Sequence, residues 1–417
     1  MASVNDLPME MLGHIFYLAA AGYLRALLWY NPERKYLCLF DREFARYQPP
    51  FLFLQVCGHW RAVAQATPIL WTSLDVTMRR TTVTQASTSR STAALKHWLS
   101  VSRSAPLNFT LESTGRRTDP NTRREALAAH SAAMLRVLAN ESYRWHSVSL
   151  KLASHLAGVF CDVVFNKFTQ RSFPNLKRLD IVVLNETPGP VEEVSRAIGS
   201  FKSLTELCIS LSLHVHMSFL LRHMPWDQLT SARFNMDMST DQATSLLAHL
   251  TEAVTVTFAN IHVVGDSDRE GNRCTLPKLK QLSVNGDNAS RLFYRFNFLH
   301  LEQLEFKSNP LGCDQLVQWL TEQPNVPICR LKLRSFRRFS ESNLTNWLRI
   351  QRLREVAHVE LHCWNILEAT AGAVAQLQDG IPVLWSWKAQ GEECIGWKPQ
   401  FDHNDGHVAR IRPARRR

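Results

Sequence analysis

The chain has 417 residues, of which 45% are hydrophobic and 20% charged. That composition excludes wholesale disorder and supplies more core than one small domain needs. The formal net charge of +11 admits acidic partners, but no nucleic-acid motif accompanies it. The basic residues are spread along the chain except near 330–338, "RLKLRSFRR", and in the closing "ARIRPARRR". The closing run reads as a solvated basic tail over 391–417, and nucleic acid is not expected as a partner. No apolar run is long enough to span a bilayer, so no membrane partner is expected either. The start "MASVNDLPME" lacks a basic region leading into an apolar core, so a secretory signal is not expected.

Nine cysteines stand at 38, 57, 161, 208, 274, 313, 329, 363 and 394. The count is odd and no two form a CxxC pair, which argues against a disulfide framework and against a zinc site. A reducing compartment, cytoplasm or nucleus, fits this usage.

In chain order, "LPMEMLGHIFYL" (7–18) predicts a short helix. Leu12, Ile15 and Phe16 share a face, Leu7 and Pro8 lead in, and Pro8 is tolerated in the first turn. "FLFLQVCGHWRAVAQATPILW" (51–71) spaces Val56, Trp60 and Val63 at helical intervals, and Pro68 ends the helix. Between these helices lies an insertion near 19–48.

After residue 140 the chain is self-similar. "FPNLKRLDI" (173–181), "FKSLTELCI" (201–209), "LPKLKQLSV" (276–284), "FLHLEQLEF" (298–306), "VPICRLKL" (326–333) and "LREVAHVEL" (353–361) carry apolar residues in the order LxxLxL. "WDQLTSARF" (226–234) and "LTEAVTVTF" (250–258) are weaker copies. The first Leu position falls at Leu176, Leu204, Leu229, Ala253, Leu279, Leu301, Ile328 and Val356, so successive spacings are 28, 25, 24, 26, 22, 27 and 28. "WHSVSL" (145–150) fits one step earlier and "IPVLWSW" (381–387) one step later. The intervening "HVHMSFLLRHM", "TDQATSLLAHL", "CDQLVQWLTEQ" and "SNLTNWLRIQ" show helical spacing.

This period is that of leucine-rich repeats, where a strand alternates with a helix. The predicted fold class is therefore α/β: an N-terminal helical module, then a leucine-rich-repeat-like solenoid with a parallel sheet and outer helices. Ala232 and Ala253 are poor core residues, and only Asn309 stands where such repeats often carry asparagine. Side-chain alternation puts an outward set on one sheet face: Arg178, Asp180; Glu206, Cys208; Arg233, Asn235; Thr255, Thr257; Gln281, Ser283; Gln303, Glu305; Arg330, Lys332, Arg334; His358, Glu360, His362. The expected substrate-binding residues are Arg330, Lys332, Arg334, Glu305 and Arg178. The basic trio suits an acidic or phosphorylated motif.

The N-terminal motifs resemble an F-box. Leu7, Pro8 and Glu10, then Ile15 and Phe16, then Val56, Cys57, Trp60 and Arg61, then Leu70 and Trp71 follow that family's pattern, which the insertion interrupts. "ALKHWLSVSRSAPLNFTL" (94–111) and "SYRWHSVSL" (142–150) resemble segments of a large family of mushroom-type fungal F-box proteins. The expected domains are an F-box-like segment 1–78, connecting helices and a first irregular repeat 79–140, the repeats 141–390, and the tail. The resemblance implies the substrate receptor of a Skp–cullin–F-box ubiquitin ligase. Leu7, Pro8, Ile15, Phe16, Val56, Cys57 and Trp60 would face the Skp-type adaptor, which links to a cullin, and the repeats would hold a protein target.

Catalysis is not expected, nor any cofactor. GxSxG, Walker A, GxGxxG and HExxH are absent from the sequence. His214 and His216 have no further ligands nearby in sequence, and Cys363 beside His362 points to the opposite strand face. A second reading keeps the fold but lets the insertion block the adaptor, leaving a protein-binding scaffold.

Overall fold

The computed structural model describes residues 7–30, 50–77, 85–112, 121–165, 173–184, 189–211, 217–262, 273–286, 289–335, 347, 350, 356, 358–364, 383–389 and 392–393. Most of the expected insertion (31–48), the stretch holding His214 and His216, and nearly all of the basic tail lie outside them. The chain divides into two compact units, Met1–Met236 and Asp237–Arg417.

The first unit opens with helices α1 (Met9–Tyr30), α2 (Phe53–Val56) and α3 (Gly58–Ala66), followed by a 3-10 turn at Pro68–Trp71. Strands and helices then alternate: β1 (Ser73–Thr77), α4 (Gln85–Val101), β2 (Leu107–Glu112), α5 (Asn121–Ala139), β3 (Trp145–Ala153), α6 (Ser154–Phe165), β4 (Arg178–Leu184), α7 (Gly189–Gly199), β5 (Glu206–Leu211), α8 (Met217–His223) and β6 (Ser231–Ser239). Each of these strands pairs in parallel with the next in sequence. A parallel neighbour requires a crossover, and a helix supplies it each time.

The second unit continues with α9 (Thr240–His249), β7 (Thr255–His262), β8 (Cys274–Leu276), β9 (Gln281–Asn285), β10 (Phe296–Phe298), β11 (Gln303–Ser308), α10 (Pro310–Glu322), β12 (Arg330–Ser335), β13 (His358–Trp364), β14 (Val383–Ala389) and β15 (Glu392–Glu393). Strands β7, β9, β11, β12, β13 and β14 form a parallel sheet in that order, with β15 added antiparallel. Strands β8 and β10 pair only with each other. The α/β class with large parallel sheets agrees with the sequence reading.

The eight anchor positions, from Leu176 to Val356, are each at most 4% exposed. Ala253, and with it Ala232, is as buried as the leucines. A small residue is no handicap where the space it leaves is small. Beside five of the anchors (Leu176, Leu204, Ala253, Leu279 and Leu301) a backbone carbonyl takes two N–H groups from the following strand's entrance, using both lone pairs. Lys177 accepts from Thr205 and Glu206, both at 2.9 Å; Lys280 from Glu302 and Gln303, both at 2.9 Å; Glu302 from Cys329 at 2.9 Å and Arg330 at 3.0 Å.

The helices start on sequence-legible caps. Ser239 and Gln242 form a reciprocal capping box on α9, and the Asn309 side chain accepts from Gly312 N on α10. Arg144 is buried where β3 begins. Its guanidinium donates to Ala105 O at 2.9 Å and Ser102 Oγ at 2.7 Å, and contacts Glu141 Oε2 at 3.1 Å. This staples the end of α4 to the β3 entrance.

Two features depart from the sequence-based layout. The sheet begins at Ser73, inside the segment expected to be F-box-like, because "SLDVT" forms a strand without the LxxLxL signature. Between β7 and β9 the described residues form the short strand β8, and no helix is among them.

At Gly199, an added Cβ would sit 2.0 Å from the His223 carbonyl oxygen. Gly199→Ala is therefore expected to lower stability by about 1–3 kcal/mol through overpacking, read from urea unfolding; an unchanged midpoint would contradict the close approach. His130 is buried, its Nδ1 lies 2.9 Å from Thr88 Oγ1, and burial pushes its pKa down. The unfolded chain then binds a proton that the folded chain refuses. Stability should fall as pH drops below about 6.5, the ordinary histidine value, and level off once the folded imidazole also titrates. Urea midpoints at several pH values should show a smaller acid-side loss in His130→Gln than in the parent chain.

Candidate functional site

The N-terminal helices pack around an aromatic cluster. Phe16 of α1 stacks on Phe53 of α2 with ring centroids 4.2 Å apart and lies 4.8 Å from Trp60 of α3. A second cluster joins Phe51, Trp71 and Trp98, with the two indoles 4.9 Å apart. Trp71 Nε1 donates to Ala64 O at 2.8 Å and Trp98 Nε1 to Trp71 O at 2.6 Å, so both buried indoles are satisfied. The Cys57 Sγ accepts from Trp60 N at 3.4 Å, capping α3, and Arg61 Nε donates to Leu54 O at 2.9 Å. Gly13 lets α1 approach Thr67, whose Oγ1 would be 2.7 Å from an added Cβ.

The seven residues expected to face an adaptor fall into different environments. Pro8 is exposed, and its carbonyl accepts the first bond of α1 from Leu12 N at 3.0 Å. Leu7, Cys57 and Trp60 are half-buried. Ile15 and Val56 are exposed, whereas Phe16 is 1% exposed and belongs to the internal cluster. Leu12 and Phe16 define the inward side of α1, and Ile15 lies on the other side. There it joins Met11 and Leu18, at helical spacing 11, 15, 18, in an apolar stripe that faces away from the packed side. Leu52 pairs with Val56 in the same manner. These five side chains are 41–55% exposed. Sequence reasoning missed Met11, Leu18 and Leu52; the signal was a second i, i+4, i+7 stripe on a helix that already had an inward face.

The outward strand face follows the expected alternation. Buried and accessible positions alternate on β4, β5, β6, β9, β11 and β12. The side chains of His362 and Cys363 lie outside the described ones. On this face the charges are already partnered across strands. Arg178 lies 3.5 Å from Glu206, Lys332 Nζ 2.9 Å from Glu360, and Arg334 Nε 3.1 Å from Glu305 Oε1, the last without hydrogen-bond alignment. Arg330 is exposed, and among the described residues no carboxylate pairs with it. Thus four of the five expected substrate-binding residues stand in ion pairs, and Arg330 alone presents its charge outward.

Two cysteines are held as thiols. Burial, aided by Asp180 and opposed by Arg233 and Arg178, pushes Cys208 up to about 12; burial, aided by Glu193 and Asp162, does the same to Cys161, up to about 12. Neither is a nucleophile at neutral pH. Among the described residues, no three His, Cys, Asp or Glu side chains gather as a metal group, and no helix is long and apolar enough to cross a membrane. No protein-family model matches the chain, and no curated protein matches it at a significant level.

The cluster and the stripe make opposite demands on substitution. Phe16→Ala should cost about 3–5 kcal/mol of folding free energy. Ile15→Ala should stay within about 0.5 kcal/mol. Chemical unfolding of the two variants checks this, and equal losses would contradict the assignment of faces.

Proposed function

We propose that this chain is the substrate receptor of a Skp–cullin–F-box type ubiquitin ligase. In this reading the N-terminal helices are an F-box. They dock on a Skp-type adaptor that links to a cullin, and the strand–helix repeats are leucine-rich repeats that hold a protein target. The chain performs no catalysis of its own. It raises the effective concentration of target at a ubiquitin-loaded enzyme, and it works in the cytoplasm or nucleus.

The observation that carries the reading is the exposed apolar stripe of Met11, Ile15 and Leu18, with Leu52 and Val56, on helices whose aromatic cluster packs without them. Leaving such side chains in water costs free energy unless a partner covers them. The motif residues support the same reading in two roles. Pro8, Ile15 and Val56 are presented outward, while Phe16 and Trp60 build the cluster that holds the presenting helices. The repeats support it by offering a polar face of ordered side chains.

The test is capture of the purified chain by a recombinant Skp-type adaptor. The parent chain should be captured, and Ile15→Asp combined with Val56→Asp should lose about 2 kcal/mol or more of binding with an unchanged unfolding midpoint. A folded parent chain that the adaptor does not capture would sink the ligase reading and leave a protein-binding repeat scaffold.

A further inference from the structure

The outward strand faces of the two units differ in sign. On β1–β6 up to Met236, Lys151, Arg178 and Arg233 face Asp75, Glu112, Asp180 and Glu206. In the second unit, on β6 from Asp237 and on β7, β9, β11, β12 and β13, Lys307, Arg330, Lys332 and Arg334 face Asp237, Glu305 and Glu360. The first face is balanced to slightly acidic; the second is slightly cationic, with all four of its cations on β11 and β12.

Register sorts the second face into three rows running across the strands. The middle row is Ser283, Glu305, Lys332 and Glu360, and it holds both carboxylates of β11–β13. The row toward the strand ends is Asn285, Lys307 and Arg334. The row toward the strand entrances is Thr255, Gln281, Gln303, Arg330 and His358, with no carboxylate in it. Adjacent rows on one face are two residues apart, about 7 Å.

We infer that the β11–β13 face binds an acidic segment of a partner protein, with one carboxylate of that segment seated on Arg330 between Gln303 and His358. The inference rests on the receptor reading in that the acidic segment would belong to the target. Arg330 offers a planar fork of donors that a carboxylate can take bidentately, and the flanking amide and imidazole add polar partners without opposing charge. Lys332 and Arg334 contribute differently. Their pairing with Glu360 and Glu305 fixes their positions, so they shape the cationic surroundings while Arg330 makes the new bond. Glu305 and Glu360 in the middle row also choose the class of partner. They would oppose a continuous phosphate backbone, whereas a peptide can space its carboxylates to miss them.

The experiment uses the full chain and a fluorescein-labelled twelve-residue peptide of alternating Glu and Gly, followed by fluorescence anisotropy at low salt. The parent chain should bind. Arg330→Glu should weaken binding about tenfold or more. Arg196→Glu, a like charge reversal on the outer surface of α7, should change it by less than about twofold. Urea midpoints of both variants confirm that each is folded. No binding, equal loss in the two variants, or tighter binding of single-stranded poly(U) than of the peptide would each overturn the inference. Adaptor capture decides the receptor reading separately: a chain that binds the peptide through Arg330 but captures no adaptor keeps this inference and loses that one.

Discussion

A backbone carbonyl that takes two N–H groups from the entrance of the next strand recurs at Lys177, Thr205, Val254, Lys280 and Glu302, and it sets the register on which the rest depends. At Lys177, Lys280 and Glu302 both bonds are 2.9–3.0 Å long. The neighbouring anchor side chain points into the core at every one of these steps. Because the side-chain period of a strand is two residues, a slip by one would turn each apolar set into water and each polar set into the core. The double bond and the buried anchor resist that slip together. The anchors recur every 22–28 residues, which leaves room for one helix or an equivalent short excursion between strands.

A polar face held this firmly can carry specific chemistry. Charges on neighbouring strands meet at fixed positions, so Lys332 finds Glu360 and Arg334 finds Glu305 without searching. Most of these pairs are partly exposed and contribute little to stability. Their effect is to place charge, and on β11–β13 the placement leaves Arg330 as the cation that no carboxylate pairs with among the described residues. The N-terminal helices follow the same logic with apolar groups. Phe16, Phe53 and Trp60 pack against one another, and Ile15 and Val56 stay exposed.

The repeat was legible because its signal is periodic and redundant. The eight anchors, the phase of the outward face and helices α8, α9 and α10 all follow from spacing alone. Even Ala232 and Ala253, chemically weak core formers, are buried because the register of their neighbours puts them there. Strand β1 and the β8–β10 pair were less legible, since short strands without the LxxLxL pattern gain their identity from pairing, which is long-range information. In the N-terminal module the sequence showed which residues are large and apolar but not which side each faces. Two stripes share one helix there, and the aromatic partners that choose between them lie more than thirty residues away, at Phe53 and Trp60. Ion pairing was hidden for the same reason: Arg178 meets Glu206 only after β4 and β5 are in register.

The most direct measurement of the central claim is amide hydrogen exchange of the full chain, read by mass spectrometry with and without a recombinant Skp-type adaptor. The account expects slowed exchange within Met9–Leu18 and Leu52–Trp60, with the strands from β4 to β13 unchanged. Unaltered exchange in both helical segments at saturating adaptor, or protection confined to the strands, would contradict it.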